Sequence, residues 1–188
     1  MGYGRGMDGV ESEKGGIAPE TAEAFLSRLW QLGPVVAAGA PHSARLGIRF
    51  VSVDVPGAAS GEDAGSGGAR ASMALDWRDD LVGDPDTGVL HGGAVTTLLD
   101  QTCGFAAMAG MWARFGTGER GGPTGVATLN LHIDYQRAAV PRETVIATAF
   151  AYRVSRHIAF LRGTAHHGDP DDPVATCQAS FVASYPGA

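Results

Sequence analysis

His91-Gly92-Gly93 opens a long uncharged run in which Asp100 is the first charged residue. The first N–H groups of a helix have no intrahelical partner and carry partial positive charge. Glycines at a helix start leave those donors open to an incoming oxygen, an anion or the oxyanion of a tetrahedral intermediate. A carboxylate can attack a carbonyl or activate water for that attack. Each feature alone is ordinary: a glycine pair permits a tight bend, and a lone helical aspartate is commonly solvated or paired. Together they are what acyl transfer to water requires.

Spacing adds a condition. Eight residues of helix separate Gly92 from Asp100, a rise of about 12 Å. A reacting carbonyl has to lie about 3 Å from both groups. One straight helix cannot satisfy both, whereas two antiparallel copies can, giving two shared sites per two-fold dimer.

The helix expected to carry these groups spans residues 93–112. Val95, Leu98, Leu99, Thr102, Phe105, Ala106 and Ala109 form its core stripe. Asp100 falls opposite, with Gly93, Thr96, Thr97, Cys103, Gly104 and Ala107. That face is small throughout, which suits close approach of a ligand or a second backbone. Upstream, residues 1–18 read as a disordered tail and 19–32 as an amphipathic helix begun by Pro19. A strand over 44–55, a Gly/Ala/Ser-rich loop over 56–70 and a return strand ASMALDW follow, then a turn-rich loop, RDDLVGDPDTGV. Beyond the helix come a flexible loop (114–125) and four alternating segments, VATLNLHIDYQ, ETVIATAFAYRV, HIAFLRGTAHH and PVATCQASFVASY. Helix, two strands, long helix and four strands predict an α+β fold, an antiparallel sheet packed on one dominant helix.

The totals narrow the function. A chain of 188 residues suits a single domain over 19–188 behind its tail. A net charge of −6 argues against a general nucleic-acid or anionic-membrane surface. Cys103 and Cys177 lack metal or disulfide-framework spacing and read as two reduced, buried thiols. His166-His167 are adjacent and point to opposite sides of a strand, so no metal is expected. No signal segment or membrane span is read, and the cytoplasm is the expected compartment.

His91-Gly92-Gly93, with Leu98-Leu99-Asp100 and Gly104, resembles the signature of the hot-dog-fold acyl-CoA thioesterases of the PaaI-like group. GVATLNLHIDYQRAAVPRETV resembles the strand that follows the helix in that family, and the likeness covers roughly residues 44–185. It implies a hot-dog fold, a long central helix wrapped by an antiparallel sheet, with the N-terminal helix as an addition. It also implies homodimers, often paired into tetramers, and hydrolysis of an acyl-CoA thioester, with coenzyme A belonging to the substrate and no further cofactor. By matching positions, Gly92 resembles the oxyanion donor, His91 a residue fixing its loop, and Asp100 the nucleophile or general base. Thr128 matches a position where some members place a serine that orients water. Gly93 and Asp84 fall beside the expected thioester. Many members carry an asparagine shortly before the histidine, where this chain has Asp84-Pro85-Asp86. An ionised Asp84 accepts hydrogen bonds but cannot donate one. Arg137, Arg142, Arg153 and Arg156, in the turns after the helix, are candidates for the phosphates of CoA.

Two other readings stand beside hydrolysis. A hot-dog hydratase or dehydratase usually has a histidine with a short hydrophobic loop, and no HFP-like stretch occurs here. A non-catalytic acyl-CoA-binding module has no need of Asp100, and residues 1–45 contain no basic helix-turn-helix pattern. The acyl group, and whether Asp100 attacks directly or through water, are not legible. Phe105, Met108 and Trp112 read first as core, and as a possible acyl tunnel second.

Overall fold

The computed structural model describes Ser27, Gln31 and residues 40–55, 68–116 and 122–185. The expected tail (1–18), most of the expected helix (19–32) and the centres of both expected loops lie outside these residues; Ser27 and Gln31 are helical. The chain runs α1 (Pro41–Leu46), β1 (Arg49–Asp54), β2 (Arg70–Leu75), a 3-10 turn (Asp79–Leu81), β3 (Val82–Asp84) and β4 (Val89–Leu90). There follow α2 (Gly92–Phe115), β5 (Gly125–Tyr135), β6 (Val145–Val154), β7 (Ile158–His166) and β8 (Ala175–Ser184). Six strands form one antiparallel sheet in the order β1-β2-β6-β7-β8-β5, and β3 pairs with β4 separately. This is the helix-on-antiparallel-sheet layout expected from the sequence.

Two local expectations need correction. The strand expected from residue 44 begins at Arg49, because α1 occupies Pro41–Leu46. Pro41 pre-sets the first helical φ, and Gly47 (φ 75°) ends the helix in the left-handed region. The turn-rich loop before His91 contains the β3–β4 hairpin, with Val82 opposite Leu90. Its strands are too short to show a period, but its turn is legible: Asp84 Oδ1 accepts the Asp86 N–H, and Gly88 takes φ 73°.

α2 is buried almost all round, including the whole expected core stripe. The inner face of the sheet is built of small residues, which lets the helix settle close. One row across five strands reads Ala71, Ala149, Gly163, Cys177 and Ile133. A methyl group on Gly163 would stand 2.7 Å from Cys177 Sγ and 3.2 Å from Cys103 Sγ. The two free thiols lie 3.7 Å apart in that space, one on the helix and one on β8. Their hydrogen bond and burial push the Cys103 thiol up from its ordinary range. The small face expected around Asp100 is therefore narrower than read. Cys103 and Ala107 are buried in the core, and Gly104 packs against the Phe181 ring. What stays accessible is a stripe of Gly93, Thr96, Thr97, Asp100, Gln101 and Met108. His42 and Ser43 of α1 reach part of it, hydrogen-bonded to Thr97 (3.3 Å) and Gln101 (2.9 Å). Phe105 packs edge-on against Phe50, and Trp112 Nε1 donates to the Pro123 carbonyl, so both serve the core.

Because the methyl group would press on two buried thiols and Leu99, Gly163→Ala should destabilise the fold by about 1–3 kcal/mol, read from urea or thermal unfolding. Unchanged stability would mean that the helix does not depend on this close seat.

Candidate active site at the start and middle of the long helix

His91 caps α2. Its backbone is extended (φ −60°, ψ 132°), and its Nδ1 accepts the Gly93 N–H at 2.8 Å. The His91 N–H donates to the Leu81 carbonyl (2.8 Å), so the 3-10 turn that leads into β3 fixes the entry to the helix. Gly83 packs so closely there that a methyl group on it would lie 2.8 Å from His91 Cα. The next amide, that of Ala94, donates to the His91 carbonyl at 2.9 Å. Only one of the two glycine amides is thus left over. Gly93 N–H belongs to the cap, whereas Gly92 N–H has no acceptor among the described residues.

Gly92 is crossed by a residue the sequence reading passed over. Tyr135 closes β5, and its hydroxyl donates to the Gly92 carbonyl at 2.6 Å and meets Thr96 Oγ1 at 2.7 Å. Thr96 Oγ1 is itself 3.0 Å from the same carbonyl. The signal that points to Tyr135 is Gly92 itself: a bare Cα on a helix marks a close approach, and the approaching group is this ring. A cavity of about 340 Å³ opens beside Gly92, with Leu90, Val95, Ala139 and Val174 in its wall and Tyr135 and Arg137 lining it.

Two turns further on, Asp100 is half-buried and accepts a 2.7 Å hydrogen bond at Oδ1 from Thr128 Oγ1. Thr128 faces the helix because β5 is irregular. Tyr135, Ile133 and Leu131 pair with Ala175, Cys177 and Ala179 on the inner face, so even-numbered residues there point outward. The register shifts between Thr128 and Asn130, and Thr128 pairs with buried Phe181. The extra residue, Leu129, is 56% exposed. A bulge of this kind re-aims a side chain, here onto Asp100. β5 is an edge strand, and its outer edge pairs with no strand among the described residues.

The remaining candidates lie apart. Asp84 is exposed, with both oxygens engaged in its own turn: Oδ1 accepts from Asp86 N–H and Oδ2 from Thr87 Oγ1. The Thr87 hydroxyl, and then the Asp86 amide, hold its carboxyl below the usual range. Arg137 lines the Gly92 cavity, but its guanidinium is forked onto Asp172 (3.1 and 2.8 Å). Arg142 is exposed in the β5–β6 turn, with φ 66°. Arg153 and Arg156 sit at the far end of α2. Arg114 there donates to the Val154 carbonyl, and Arg156 stacks over Tyr185 and Phe115. That end is about 33 Å along the helix from Gly92. Among the described residues, no group of three His, Cys, Asp or Glu could hold a metal ion, and no helix is long and apolar enough to cross a membrane.

Comparison with other proteins agrees with this architecture. The thioesterase superfamily model matches residues 87–174, from the hairpin turn before His91 to the start of β8. A protein of solved structure from Pseudomonas aeruginosa is 28% identical, with 84% of this chain aligned to 98% of that one and a TM-score of 0.59. The Escherichia coli PaaI protein of the phenylacetic acid degradation operon shares the fold at 14% identity, over 85% of this chain and 95% of that one, with a TM-score of 0.63. A Haemophilus influenzae thioesterase does so at 18%, over 87% and 92%, with a TM-score of 0.60. No curated protein matches the chain significantly. The chain thus has the hot-dog fold, and from the hairpin before His91 onward it is similar to the thioesterase superfamily.

Proposed function

We propose that the protein hydrolyses acyl-CoA thioesters at two equivalent sites, each shared between the subunits of a homodimer. In this mechanism Gly92 N–H of one protomer holds the thioester carbonyl oxygen. Asp100 of the other takes a proton from water as the water oxygen attacks the carbonyl carbon. Negative charge moves onto the oxygen held by Gly92, the tetrahedral intermediate collapses, the carbon–sulfur bond breaks, and the CoA thiolate receives the proton from Asp100. Thr128 binds Oδ1 and so turns Oδ2 toward the water.

One observation carries the reading. The sole glycine amide left over by the cap and the one accessible carboxylate of α2 lie on the same helix, about 12 Å apart, too far to meet one carbonyl. Antiparallel pairing of two helices brings one group of each chain together. Two features support such a pair: the small, half-exposed stripe from Gly93 to Met108, and the edge of β5 that pairs with no strand among the described residues, with Leu129 exposed beside it. The cavity beside Gly92 suits an apolar portion of the substrate, with Arg137 at its lining. Coenzyme A enters as part of the substrate, and the chemistry needs no other cofactor.

The test is thiol release from short, medium, long-chain and aryl acyl-CoAs. Asp100→Ala should lower kcat by on the order of 10²-fold or more with little change in KM. Undiminished turnover would remove Asp100 from the reaction. Thr128→Val, which deletes only the donor to Asp100, should lower kcat by about 3- to 10-fold. Gly92→Pro removes the amide proton; the first helical position suits the φ of proline, and the Tyr135 ring must give by a few tenths of an ångström, so the variant's melting temperature is read beside its activity. Mixed dimers of Asp100→Ala and Gly92→Pro chains should regain one working site in each pair. Verified mixed dimers that stay inactive would exclude a site built from two chains.

A further inference from the structure

The geometry points to Tyr135 as a positioning residue for thioester cleavage, one that holds Gly92 so that its N–H is aimed at the reacting carbonyl oxygen. This rests on the hydrolytic reading above.

An oxyanion donor works only if its direction is fixed before the reaction. Two adjacent glycines have more backbone freedom than any other pair, so the sequence alone leaves this donor loose. The structure restrains the peptide that follows this donor at both of its polar ends. On one side, His91 Nδ1 holds the Gly93 N–H at 2.8 Å. On the other, the Tyr135 hydroxyl holds the Gly92 carbonyl at 2.6 Å. The Gly92 N–H belongs to the preceding peptide, whose carbonyl, that of His91, accepts the Ala94 N–H at 2.9 Å; Tyr135 anchors the peptide that follows, so Gly92 Cα is held between two fixed planes and its N–H keeps one direction. Thr96 completes the arrangement. Its hydroxyl lies 2.7 Å from the Tyr135 oxygen and 3.0 Å from the Gly92 carbonyl, and it can donate to either.

Tyr135 is not there for packing. It is 50% exposed, at the end of an edge strand, and its ring lines the cavity beside Gly92. A methyl group on Gly92 would lie 3.2 Å from the tyrosine oxygen and 3.3 Å from Cζ. Glycine at 92 is thus set by the approach of this ring as much as by access to the amide. The strand end that carries Tyr135 is itself held, since Tyr135 pairs with Ala175 of β8. A phenyl ring would fill the same space, so only the hydroxyl explains the contact with the carbonyl.

The decisive variant is Tyr135→Phe, with Thr96→Val and the double variant beside it. Tyr135→Phe should lower kcat by about 5- to 20-fold while KM changes by less than about twofold and the melting temperature stays close to wild type. Because both hydroxyls serve one acceptor, the double variant should lose more than the product of the single losses. Amide NMR supplies a readout independent of turnover: the Gly92 and Gly93 signals should shift in Tyr135→Phe more than those of the helix middle. If the wild type cleaves thioesters and Asp100→Ala does not, but Tyr135→Phe keeps full kcat and unshifted glycine amides, the positioning role is overturned and the hydrolytic reading survives. A wild type with no thioester cleavage overturns both.

Discussion

The long helix is fastened to the edge strand at two points, Tyr135 to Gly92 and Thr128 to Asp100, and the candidate chemistry hangs on that seam. Gly92, Thr96 and Asp100 are spaced by four residues and therefore share one face of α2. Tyr135 and Thr128 are seven apart on β5, and in a regular strand they would point to opposite faces. The register shift at Leu129 cancels that mismatch and lets both side chains meet the helix. One extra residue in an edge strand thus decides whether Asp100 has a partner within its own chain. Were these residues to run as a regular strand without the shift, Thr128 would turn toward the outer face and Asp100 would lose that donor.

The rest of the fold serves to keep that seam at fixed depth. An alanine- and glycine-rich inner face allows the helix to sink until only a narrow stripe remains accessible. Within that stripe, threonines at 96 and 97 return their hydroxyls to helix carbonyls at 92 and 93, so their polarity is satisfied locally. Asp100 is the one full charge on it, and it is tolerable because the residue is half-buried and hydrogen-bonded. The thiols at 103 and 177 sit directly beneath, filling the space left by Gly163. Their closeness reflects helix-to-sheet packing; both are buried and lie off the accessible stripe.

Much of the fold was legible because hydrophobic period survives in long elements. The 3.6-residue stripe of α2 and the two-residue alternation of β5 to β8 locate these elements to within a few residues. Short elements carry no period. α1 had readable end signals in Pro41 and Gly47, but six residues gave the run no periodic face of its own, and its end was absorbed into the strand reading. At the site, the spacing from Gly92 to Asp100 is covalent and could be read directly. Asp84 was singled out by its place before the histidine, and Arg137 by its charge and its place in the turns after the helix. The structure shows what type cannot: Asp84 closes its own turn, and Arg137 is committed to Asp172. Tyr135 was missed because its partner is 43 residues away and is a backbone carbonyl, which leaves no side-chain pattern to match.

The coexistence of two glycines and an aspartate in one helix has a physical resolution. Each glycine is fixed by a different neighbour. A methyl group at 93 would lie 2.9 Å from the capping His91 nitrogen, and one at 92 would meet Tyr135. Their conformational cost falls in the first turn, where helix hydrogen bonds are fewest. Asp100 gains little from the positive start of its own helix, because that field fades within the first turn. The start of a second, antiparallel helix would supply what its own cannot. On the proposed mechanism the charge sits two turns in because its electrostatic complement belongs to another chain, and the same pairing would bring the Gly92 amide to the carbonyl attacked by the water that Asp100 deprotonates.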